Sequence, residues 1–300
     1  MNKLVSVVIP TYGGGQFLER CVDSVLAQTY PNIEIIVVDD NGINSPNQIA
    51  TSKIMQKYLF YPNVKYLCHE KNINGSAARN TGARNSKGAF ISLLDDDDIF
   101  LPDNIKYHMM AFEKLDDRFA LTTCGTEYYK DNIKIRTSIP KKDGSLLFEL
   151  LSTTFTIGSS TLCVRKDAFD SIGGFDESFK RHQDMEFTAR IAAKYLIKSI
   201  PIIGRRKYIE KRNSAKNPEQ FEEFRLHYLN KMEPYIKSFS SKKQRIIYVN
   251  HLFPVVKEYY KKYGIGKFIK KYFEYDLGFD GIKRIVNNWI IILKRGKVRV

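Results

Sequence analysis

Four consecutive carboxylates, Asp95 to Asp98, follow a short and mostly apolar run, Phe90 to Leu94. The run is typical of a central strand in a parallel sheet, and mutual repulsion of adjacent acids should end the strand near Asp95. Ligands of open α/β sheets bind at the carboxyl ends of strands. Because hard divalent cations prefer oxygen ligands, the cluster predicts a Mg²⁺ or Mn²⁺ site. The alternative is a solvated acidic turn before a helix that begins near Pro102.

Further polar side chains follow two other predicted strands. Leu4 to Pro10 and Glu34 to Asp39 are mainly apolar runs that indicate buried strands. A carboxylate of Asp39 or Asp40 could accept a hydrogen bond from a base N–H or a ribose hydroxyl, or it could belong to a turn. Tyr12 could stack on a base or be partly buried. Parallel strands end at one edge of a sheet, so we expect these side chains near the acidic cluster.

Two charged side chains lie near the starts of predicted helices. Arg79 is one turn into a helix predicted from Ser76 to Asn85, where its guanidinium could bind phosphate or form a salt bridge with the acidic cluster. Asp184 begins a helix predicted to reach Lys194. There it could cap the helix or act as a carboxylate base. The residues alone leave both pairs of alternatives open.

The order of the predicted elements indicates an α/β fold. Strands alternate with helices over the first hundred residues, which predicts βαβ units and a mostly parallel sheet flanked by helices. The second part is less regular, and from Arg206 onward Lys, Tyr and helical spacing predict a helical, basic C-terminal region. The other predicted segments are helices at 16–28, 49–59 and 102–115, and strands at 64–68, 120–125, 133–139, 158–165 and 196–203.

Charge and composition limit the class of protein. The formal net charge of +15 points to an anionic partner, either nucleic acid, anionic lipid or a phosphorylated substrate. Residues 251–300 hold twelve Lys and Arg against four Asp and Glu. The four cysteines are far apart and form no CxxC pattern, so neither a zinc site nor a disulfide framework is indicated. We see no signal peptide and no apolar run long enough to span a bilayer, and we expect a cytoplasmic protein.

Five segments in order resemble the inverting GT-A glycosyltransferases of family 2. They cover roughly the first two thirds of the chain, and their order and spacing are more specific than any one of them. The segments are Ser6–Tyr12, Ile35–Asp40, Gly75–Gly82, Leu94–Asp98 with Leu101–Asp103, and Gly173–Glu177 followed by Gln183 and Asp184. Gly13 and Gln183 stand where the family usually has Asn and Glu.

The resemblance implies roles for individual residues. Asp97 matches the metal ligand, and Asp184 falls where the family places its catalytic base. The positions that match the donor nucleotide site are Pro10, Thr11, Tyr12, Asp39, Asp40, Arg79, Asp95 and Asp96. The implied reaction is metal-dependent transfer of one sugar, with inversion, from a nucleotide-sugar, most often a UDP-sugar, to a hydroxyl group. The Gln/Arg-x-x-Arg-Trp motif of processive synthases is absent.

The resemblance also implies a division of the chain and a set of partners. Residues 1–100 would bind the nucleotide-sugar, 101–205 the acceptor, and 206–300 would form the basic helical region. We expect a glycan or lipid-linked oligosaccharide acceptor in cell-surface polysaccharide synthesis, with peripheral contact between residues 251–300 and an anionic membrane at its inner face. That region could instead pack on the catalytic domain. The alternatives are a nucleotidyltransferase and a basic nucleic-acid-binding protein, and the absence of an RNP, KH or zinc pattern disfavours the latter.

Overall fold

The computed structural model describes residues 3–13, 15–209, 217–278 and 281. The chain divides into two compact units. The first comprises residues 1–147 and 156–212, and the second comprises residues 148–155 and 213–300. The second unit therefore contains a short segment from the middle of the chain.

Nine strands among the described residues form one sheet in the first unit. They are β1 (Val5–Thr11), β2 (Ile33–Asp39), β3 (Val64–Cys68), β4 (Phe90–Leu93), β5 (Asp98–Phe100), β6 (Phe119–Lys130), β7 (Ile133–Ser138), β8 (Leu162–Arg165) and β9 (Leu196–Tyr208). Their spatial order is β3-β2-β1-β4-β8-β6-β9-β5, and β7 pairs with β6.

The helices follow the strands along the chain. They are α1 (Leu18–Leu26), α2 (Pro46–Met55), α3 (Gly75–Arg84), α4 (Asn104–Phe112), α5 (Leu147–Leu151), α6 (Lys166–Ser171), α7 (Gln183–Lys194), α8 (Pro218–Ile236), α9 (Ser241–Tyr263) and α10 (Ile265–Glu274). Two 3₁₀ turns, Gln56–Tyr58 and Ser159–Thr161, complete the described helical elements.

The sheet has a parallel part and a mixed part. Strands β3, β2, β1 and β4 pair in parallel, as the alternation of strands and helices predicts. Beyond β4, strand β8 pairs antiparallel with both β4 and β6, whereas β6 and β9 are parallel. The predicted α/β class with a sheet flanked by helices is thus confirmed, and the antiparallel pairs lie in the part where the sequence pattern is least regular.

Burial explains why the sequence predicts β1 and β2 so clearly. All seven residues of β2 are buried, and so is β1 except for the partly buried Pro10. Helix α1 places Leu18, Cys21, Val22 and Val25 against the sheet. A strand that is buried on both faces appears in the sequence as a continuous apolar run, and a helix packed on one side appears as an apolar stripe of helical period. These two patterns are the easiest to recognise from sequence.

Helix α3 lies unusually close to the sheet. A Cβ atom on Gly82 would stand 2.2 Å from Cγ1 of Val8, which is far inside van der Waals contact. Asn74 begins the helix by accepting a hydrogen bond from the backbone N–H of Ala77 at 3.0 Å. The close approach fixes the position of Arg79, which lies between these two points of the helix.

Two parts of the sheet differ from the sequence prediction. The chain resumes strand structure at Asp98, which begins β5 and is fully buried, so the acidic run is not wholly a loop. Strand β9 continues to Tyr208, and residues 206–208 therefore belong to the sheet rather than to the helical region predicted from Arg206. The reason is the same in both places, because β5 and β9 pair with each other and their charged side chains neutralise one another.

The second unit is helical, as the composition predicts. Asn217 caps α8 and Pro218 occupies its first turn. His251 of α9 contacts the backbone oxygen of Leu151 at 2.8 Å, and Asn250 donates to the backbone oxygen of Ser152 at 2.5 Å. The part of the predicted basic helical region after residue 278 lies outside the described residues, apart from residue 281. Within the part of the chain that the structure describes, no helix is both long and apolar enough to cross a membrane.

Candidate active site

A cleft of about 700 Å³ opens in the first unit, at the carboxyl ends of β1 and β4. The residues that line it come from the ends of β1, β2, β4 and β9, from the start of α3 and from the segment before α7. They are Pro10, Thr11, Tyr12, Asp40, Asn72, Ile73, Asn74, Gly75, Ala78, Arg79, Asp95, Asp96, Asp97, Lys180, Gln183 and Lys207. Eight of the ten residues that the sequence singled out lie around this one cleft, and Asp39 and Asp184 are not among its lining residues.

A hydrogen bond turns Asp96 away from the other three acids of the cluster. Oxygen atoms of Asp95, Asp97 and Asp98 lie within 4.8 Å of one another. Asp96 instead accepts a 2.6 Å hydrogen bond from the hydroxyl of Thr11, which ties the end of β1 to the end of β4. Burial and the neighbouring carboxylates raise the pKa of Asp96 to about 6.

Arg79 connects the acidic cluster with the start of α7. Its Nη2 atom donates to Asp95 at 2.6 Å and its Nη1 atom donates to Gln183 at 2.7 Å. Burial acts to raise the pKa of Asp95, but Arg79 and Lys207 outweigh it and hold that pKa below its ordinary value. Of the two roles that the sequence left open for Arg79, the salt bridge with the acidic cluster is present.

Asp98 forms a buried ion-pair network with β9. Arg205 contacts one of its oxygens at 3.0 Å, and Lys207 contacts the other at 3.2 Å. Lys207 also approaches Asp97 at 3.9 Å. Burial acts to lower the pKa of Lys207, but the carboxylates of Asp98, Asp97 and Asp95 raise it above its ordinary value, so the ammonium group stays charged.

The two acids that end β2 have different surroundings. Asp39 is fully buried and accepts hydrogen bonds from Asn41 and from the hydroxyl of Tyr66 at 2.6 Å. Asp40 reaches the cleft, but its oxygens are shared by His69 at 2.7 Å, Asn72 at 2.8 Å and the backbone N–H of Ile73 at 2.9 Å. Asp39 therefore supports the loop, and Asp40 is the acid of this pair that reaches the cleft.

Tyr12 and Asp184 differ in their exposure. Tyr12 lines the cleft and is 66% exposed, so its side chain is accessible for stacking. Asp184 is partly buried in the first turn of α7, and the position before that helix is His182, so Asp184 is not its cap. Burial raises the pKa of Asp184, while the nearby charge of Arg79 lowers it in part.

Several residues of the cleft escaped the sequence reasoning. Lys180 and Lys207 add positive charge to it, and Asn72 and Asn74 come from the loop before α3. The sequence places Lys207 in the predicted basic helical region, and only its pairing with Asp98 across two strands reveals its position. Asn72 precedes the predicted helix, and an asparagine in a loop is common and carries no specific signal.

The chemistry of the cluster fits a hard divalent cation. Carboxylate oxygens are the ligands that Mg²⁺ and Mn²⁺ prefer, and Mg²⁺ needs only one or two of them when water and substrate phosphate supply the rest. Both oxygens of Asp98 are taken up by Arg205 and Lys207. Asp97, and the oxygen of Asp95 that does not contact Arg79, are therefore the donors best placed to hold a metal ion.

Comparison with known proteins identifies the class to which this fold and site belong. Residues 6–173 match the profile of the family described as "Glycosyl transferase family 2". The chain is 34% identical over 243 residues to the uncharacterized glycosyltransferase RP339 of Rickettsia prowazekii, which covers 77% of this chain and 73% of that protein. It is 32% identical over 160 residues to glycosyltransferase GlyG of Streptococcus pneumoniae, covering 52% and 47% of the two chains. The chain therefore belongs to glycosyltransferase family 2.

Solved structures show the same fold. The crystal structure of S. aureus TarS 1-349 in complex with UDP-GlcNAc matches with a TM-score of 0.58 at 18% identity, over 90% of this chain and 89% of that one. The mannosyltransferase PcManGT of Pyrobaculum calidifontis, in complex with GDP-Man and Mn²⁺, matches with a TM-score of 0.60 at 14% identity, over 97% and 81%. At these identities the likeness defines the GT-A fold, and the predicted class of enzyme, a family 2 glycosyltransferase, is confirmed.

Proposed function

We propose that this enzyme transfers one sugar from a nucleotide-sugar to a hydroxyl group of an acceptor, with inversion at the anomeric carbon and with a divalent metal ion. The observation that carries the proposal is the cleft itself. Tyr12, Asp40, Arg79, Lys207 and three acids of the cluster (Asp95, Asp96 and Asp97) all line it. A base, a ribose and a diphosphate present a stackable ring, hydroxyl groups and negative charge, which these side chains complement in turn.

The donor would lie across the ends of β1, β2 and β4. In the proposed arrangement Pro10, Thr11 and Tyr12 flank the base, Asp40 accepts a hydrogen bond from the base or ribose, and Asp96 contacts the ribose. The pKa of about 6 for Asp96 keeps most of this carboxyl ionised at neutral pH, in the form that accepts hydrogen bonds from hydroxyl groups. Asp39, which is buried behind Asn41 and Tyr66, supports the loop and does not contact the donor.

The proposed metal dependence rests on the carboxylate oxygens of Asp97 and Asp95, which are the candidate metal ligands. A bound Mg²⁺ or Mn²⁺ would neutralise the charge of the diphosphate leaving group. Arg79 and Lys207 add two fixed positive charges at the same place, and their present contacts with Asp95 and Asp98 orient both side chains. The chain thus positions cationic groups where negative charge develops during transfer.

Asp184 is the proposed general base. In its ionised form it would accept the proton of the acceptor hydroxyl as that oxygen attacks the anomeric carbon, and a single displacement inverts the carbon. Gln183 precedes Asp184 and is held by Arg79, which is itself held by Asp95. This chain of contacts links the position of the base to the acidic cluster, so donor and base are aligned by one network.

The acceptor and the place of reaction are further parts of the proposal. We infer a glycan or lipid-linked acceptor in cell-surface polysaccharide synthesis, at the inner face of a membrane that residues 251–300 contact. Helix α10 supports this contact, because Ile265, Ile269 and Phe273 recur at helical spacing and are 61%, 48% and 76% exposed. Lys267 and Lys270 lie on the same helix, as expected for an interfacial helix on anionic lipid.

Calorimetric titration tests the donor site directly. UDP, GDP and dTDP would be titrated into the wild-type protein with and without Mn²⁺, and then into Asp97→Asn and the control Asp116→Asn, which alters an exposed acid outside the cleft. We expect metal-dependent binding of one nucleotide, strongly weakened in Asp97→Asn and unchanged in Asp116→Asn. The neighbours bind different nucleotides, UDP-GlcNAc and GDP-Man, so the titration also decides the nucleotide. Absence of binding for all three would contradict the proposal.

The product released distinguishes glycosyl transfer from nucleotidyl transfer. A glycosyltransferase releases nucleoside diphosphate, whereas a nucleotidyltransferase that joins a nucleoside triphosphate to a sugar phosphate releases pyrophosphate. Membership of family 2 favours the first reaction. Release of pyrophosphate from any substrate pair would count against the proposed function.

A further inference from the structure

A hairpin of the first unit carries exposed apolar residues. It consists of residues 126–139, the second half of β6 together with β7, and we call it the β6–β7 hairpin. All six residues of β7 are exposed. Ile133 is 69% exposed, Ile135 is 51% exposed, and Ile139, just after the strand, is 39% exposed. Ile133 and Ile135 thus expose two large apolar side chains close to the turn of the hairpin, on an edge strand.

Positive charge surrounds this patch. Residues 130–142 contain five Lys and Arg and one acid, Asp131. Lys134 contacts Glu127 at 3.1 Å, and that carboxylate also pairs with Arg206, so one acid is shared by two cations. The guanidinium of Arg136 lies 4.2 Å from the ring centre of Tyr128 rather than on an acid. Residues 126–142, which also include Glu127, therefore contain five Lys and Arg against two acids and carry a formal charge of +3.

The register of the sheet connects the hairpin with the cleft. Asp98 pairs with Lys207, Lys207 pairs with Tyr128, and Tyr128 pairs with Arg136. Side chains at directly paired positions lie on the same face of a sheet, so these four form a row across β5, β9, β6 and β7. The row begins at the acidic cluster and ends on the hairpin. A surface that held the hairpin would consequently contact the same face of the sheet as Lys207, which lines the cleft.

We propose that the β6–β7 hairpin docks on the surface of an anionic lipid bilayer, with its isoleucines in the interfacial region and its lysines and arginine at the headgroups. Anionic lipids attract basic segments, and apolar side chains gain from leaving water only if the partner offers an apolar layer.

Two other partners fit this surface less well. An anionic polymer in solution would neutralise the cations but leave the isoleucines in water. Pairing of β7 with a second copy of the chain would bring Lys134 and Arg136 toward identical charges, and lysine on an edge strand opposes such pairing.

This inference goes beyond the proposed transfer reaction and does not require it. It also differs from the contact proposed for residues 251–300, because the hairpin belongs to the first unit. If both contacts exist, each contributes to the affinity for the membrane. The hairpin alone would determine that the cleft lies close to the lipid surface, where a lipid-linked acceptor presents its sugar.

Vesicle binding of the full-length protein tests the inference. Vesicles of phosphatidylglycerol and phosphatidylcholine would be compared with vesicles of phosphatidylcholine alone. The hairpin variant is Ile133→Ser with Ile135→Ser, and the control is Ile49→Ser, an exposed isoleucine of α2. A further variant, Ile265→Ser with Ile269→Ser, isolates the contribution of α10. We expect the hairpin variant to bind anionic vesicles about tenfold more weakly, with the control unchanged.

Nucleotide calorimetry and the thermal midpoint of each variant separate this result from misfolding. If the hairpin variant keeps its nucleotide affinity and midpoint but loses vesicle binding, the inference is supported. Undiminished vesicle binding of the hairpin variant, or binding lost only in the α10 variant, would overturn it. So would equal binding to neutral and anionic vesicles, or a wild-type dimer that the hairpin variant dissociates in sedimentation experiments.

Ile133→Trp provides a second measurement that does not depend on loss of binding. With the wild type as reference for Trp289, anionic vesicles should shift the emission of the new tryptophan to shorter wavelength, and brominated lipid should quench it. Emission that remains at the wavelength of water-exposed tryptophan on saturated vesicles would contradict insertion of the hairpin.

Discussion

Arg79 is the residue through which the parts of the site are joined. Its side chain contacts Asp95 of the acidic cluster and Gln183 at the start of α7. It also lies near Asp184 and partly offsets the effect of burial on the pKa of that carboxyl. An arginine can hold two planar acceptors at fixed angles, so substitution of this residue should affect the alignment of donor and base together.

Asp184→Asn should abolish most of the transfer activity without weakening the binding of the nucleotide donor. Asparagine has nearly the same shape but cannot accept the proton of the acceptor hydroxyl, so kcat should fall by about 10²–10⁴-fold. Asp184 does not line the cleft, so the affinity for nucleotide should remain. Steady-state kinetics together with calorimetry check both parts. A variant with wild-type kcat would show that another group acts as the base.

The pH dependence of transfer should reflect the raised pKa of Asp184. The base acts when ionised, so kcat at saturating donor should fall as the pH decreases through a pKa that burial has raised above the ordinary value for aspartate. Arg79→Gln removes the charge that lowers this pKa and should move the acidic limb of the profile to higher pH. Arg84→Gln, on the exposed side of the same helix, is the control. If the acidic limb of the profile lay at the same pH in both variants, that result would argue against Asp184 as the general base.

Residue types in order along the chain were sufficient to predict much of the candidate site. Pro10, Thr11, Tyr12, Asp40 and the acids Asp95 to Asp97 follow strands whose apolar character is unmistakable, and the structure places them around one cleft. Lys207 could not be predicted, because its role depends on pairing with Asp98, more than a hundred residues away in the chain. Lysine is most often a solvated surface residue, and only the sheet places it among carboxylates.

At the scale of elements, the ion-pair network of Asp98 fastens β5 to β9. Strand β5 has only three residues, which is short for a strand that must hold its place at a sheet edge. Arg205 and Lys207 contact the two oxygens of Asp98, which pairs directly with Lys207, and Arg205 lies two residues before Lys207 in β9. The buried carboxylate and its two cationic partners hold this short strand in place, as additional apolar contacts would hold a longer one.

Asp98→Ala should destabilise the fold substantially. It leaves Arg205, which is 6% exposed, without its acidic partner, and breaking a buried ion pair in this way costs about 3–5 kcal/mol. Denaturant unfolding of the variant and of the wild type measures the difference. Asp116→Ala, which removes a solvent-exposed pair with Arg118, should change stability by less than about 1 kcal/mol. Equal, small effects of both substitutions would show that the network contributes little.

Gly82→Ala should displace α3 from the sheet. The added methyl group would stand 2.2 Å from Cγ1 of Val8, and overpacking of this kind costs about 1–3 kcal/mol. Because α3 carries Arg79, donor affinity should fall as well. Gly266→Ala in α10 is the matched control, since nothing lies within 4 Å of its added Cβ. Thermal unfolding and nucleotide calorimetry measure the two effects, and a Gly82→Ala protein equal to wild type in both would contradict the packing argument.

Elements with a strong periodic pattern were predicted well, and those defined by long-range pairing were not. Strand β3 has the bounds that the sequence predicts, Val64–Cys68, and α3 differs from its prediction by one residue at each end. Strand β5 begins at the last of four consecutive acids, a composition that opposes strand structure in isolation. Local propensity could not reveal it, because the compensating charges of Arg205 and Lys207 come from β9.

On the scale of the whole molecule, the second unit is completed by residues from the middle of the chain. Leu150 and Leu151 are 3% and 0% exposed, and the backbone oxygens of Leu151 and Ser152 are bound by His251 and Asn250 of α9. A buried backbone oxygen without a partner is costly. The unit is therefore not a simple C-terminal appendage, although composition alone places its boundary near Arg206.

A chain truncated after residue 212 should fold poorly. It keeps residues 148–155 but lacks the helices that cover their apolar side chains and bind their backbone oxygens. We expect low soluble yield, and a lower thermal midpoint for any soluble fraction, relative to the full-length protein. Asn250→Ala in the full-length chain should show a smaller effect in the same direction, about 1–3 kcal/mol in denaturant unfolding. A truncated chain with the midpoint of the full-length protein would refute this prediction.

The insertion of residues 148–155 into the second unit imposes an order on synthesis. His251 is added 96 residues after residue 155. At about 5–20 residues per second, the ribosome needs roughly 5–20 s to cover that distance. During this interval Leu150 and Leu151 have left the tunnel or are leaving it, while the helix that will bury them does not yet exist. A chaperone that binds short apolar segments would have its best opportunity at this point, and slower translation of residues 156–250 would lengthen it.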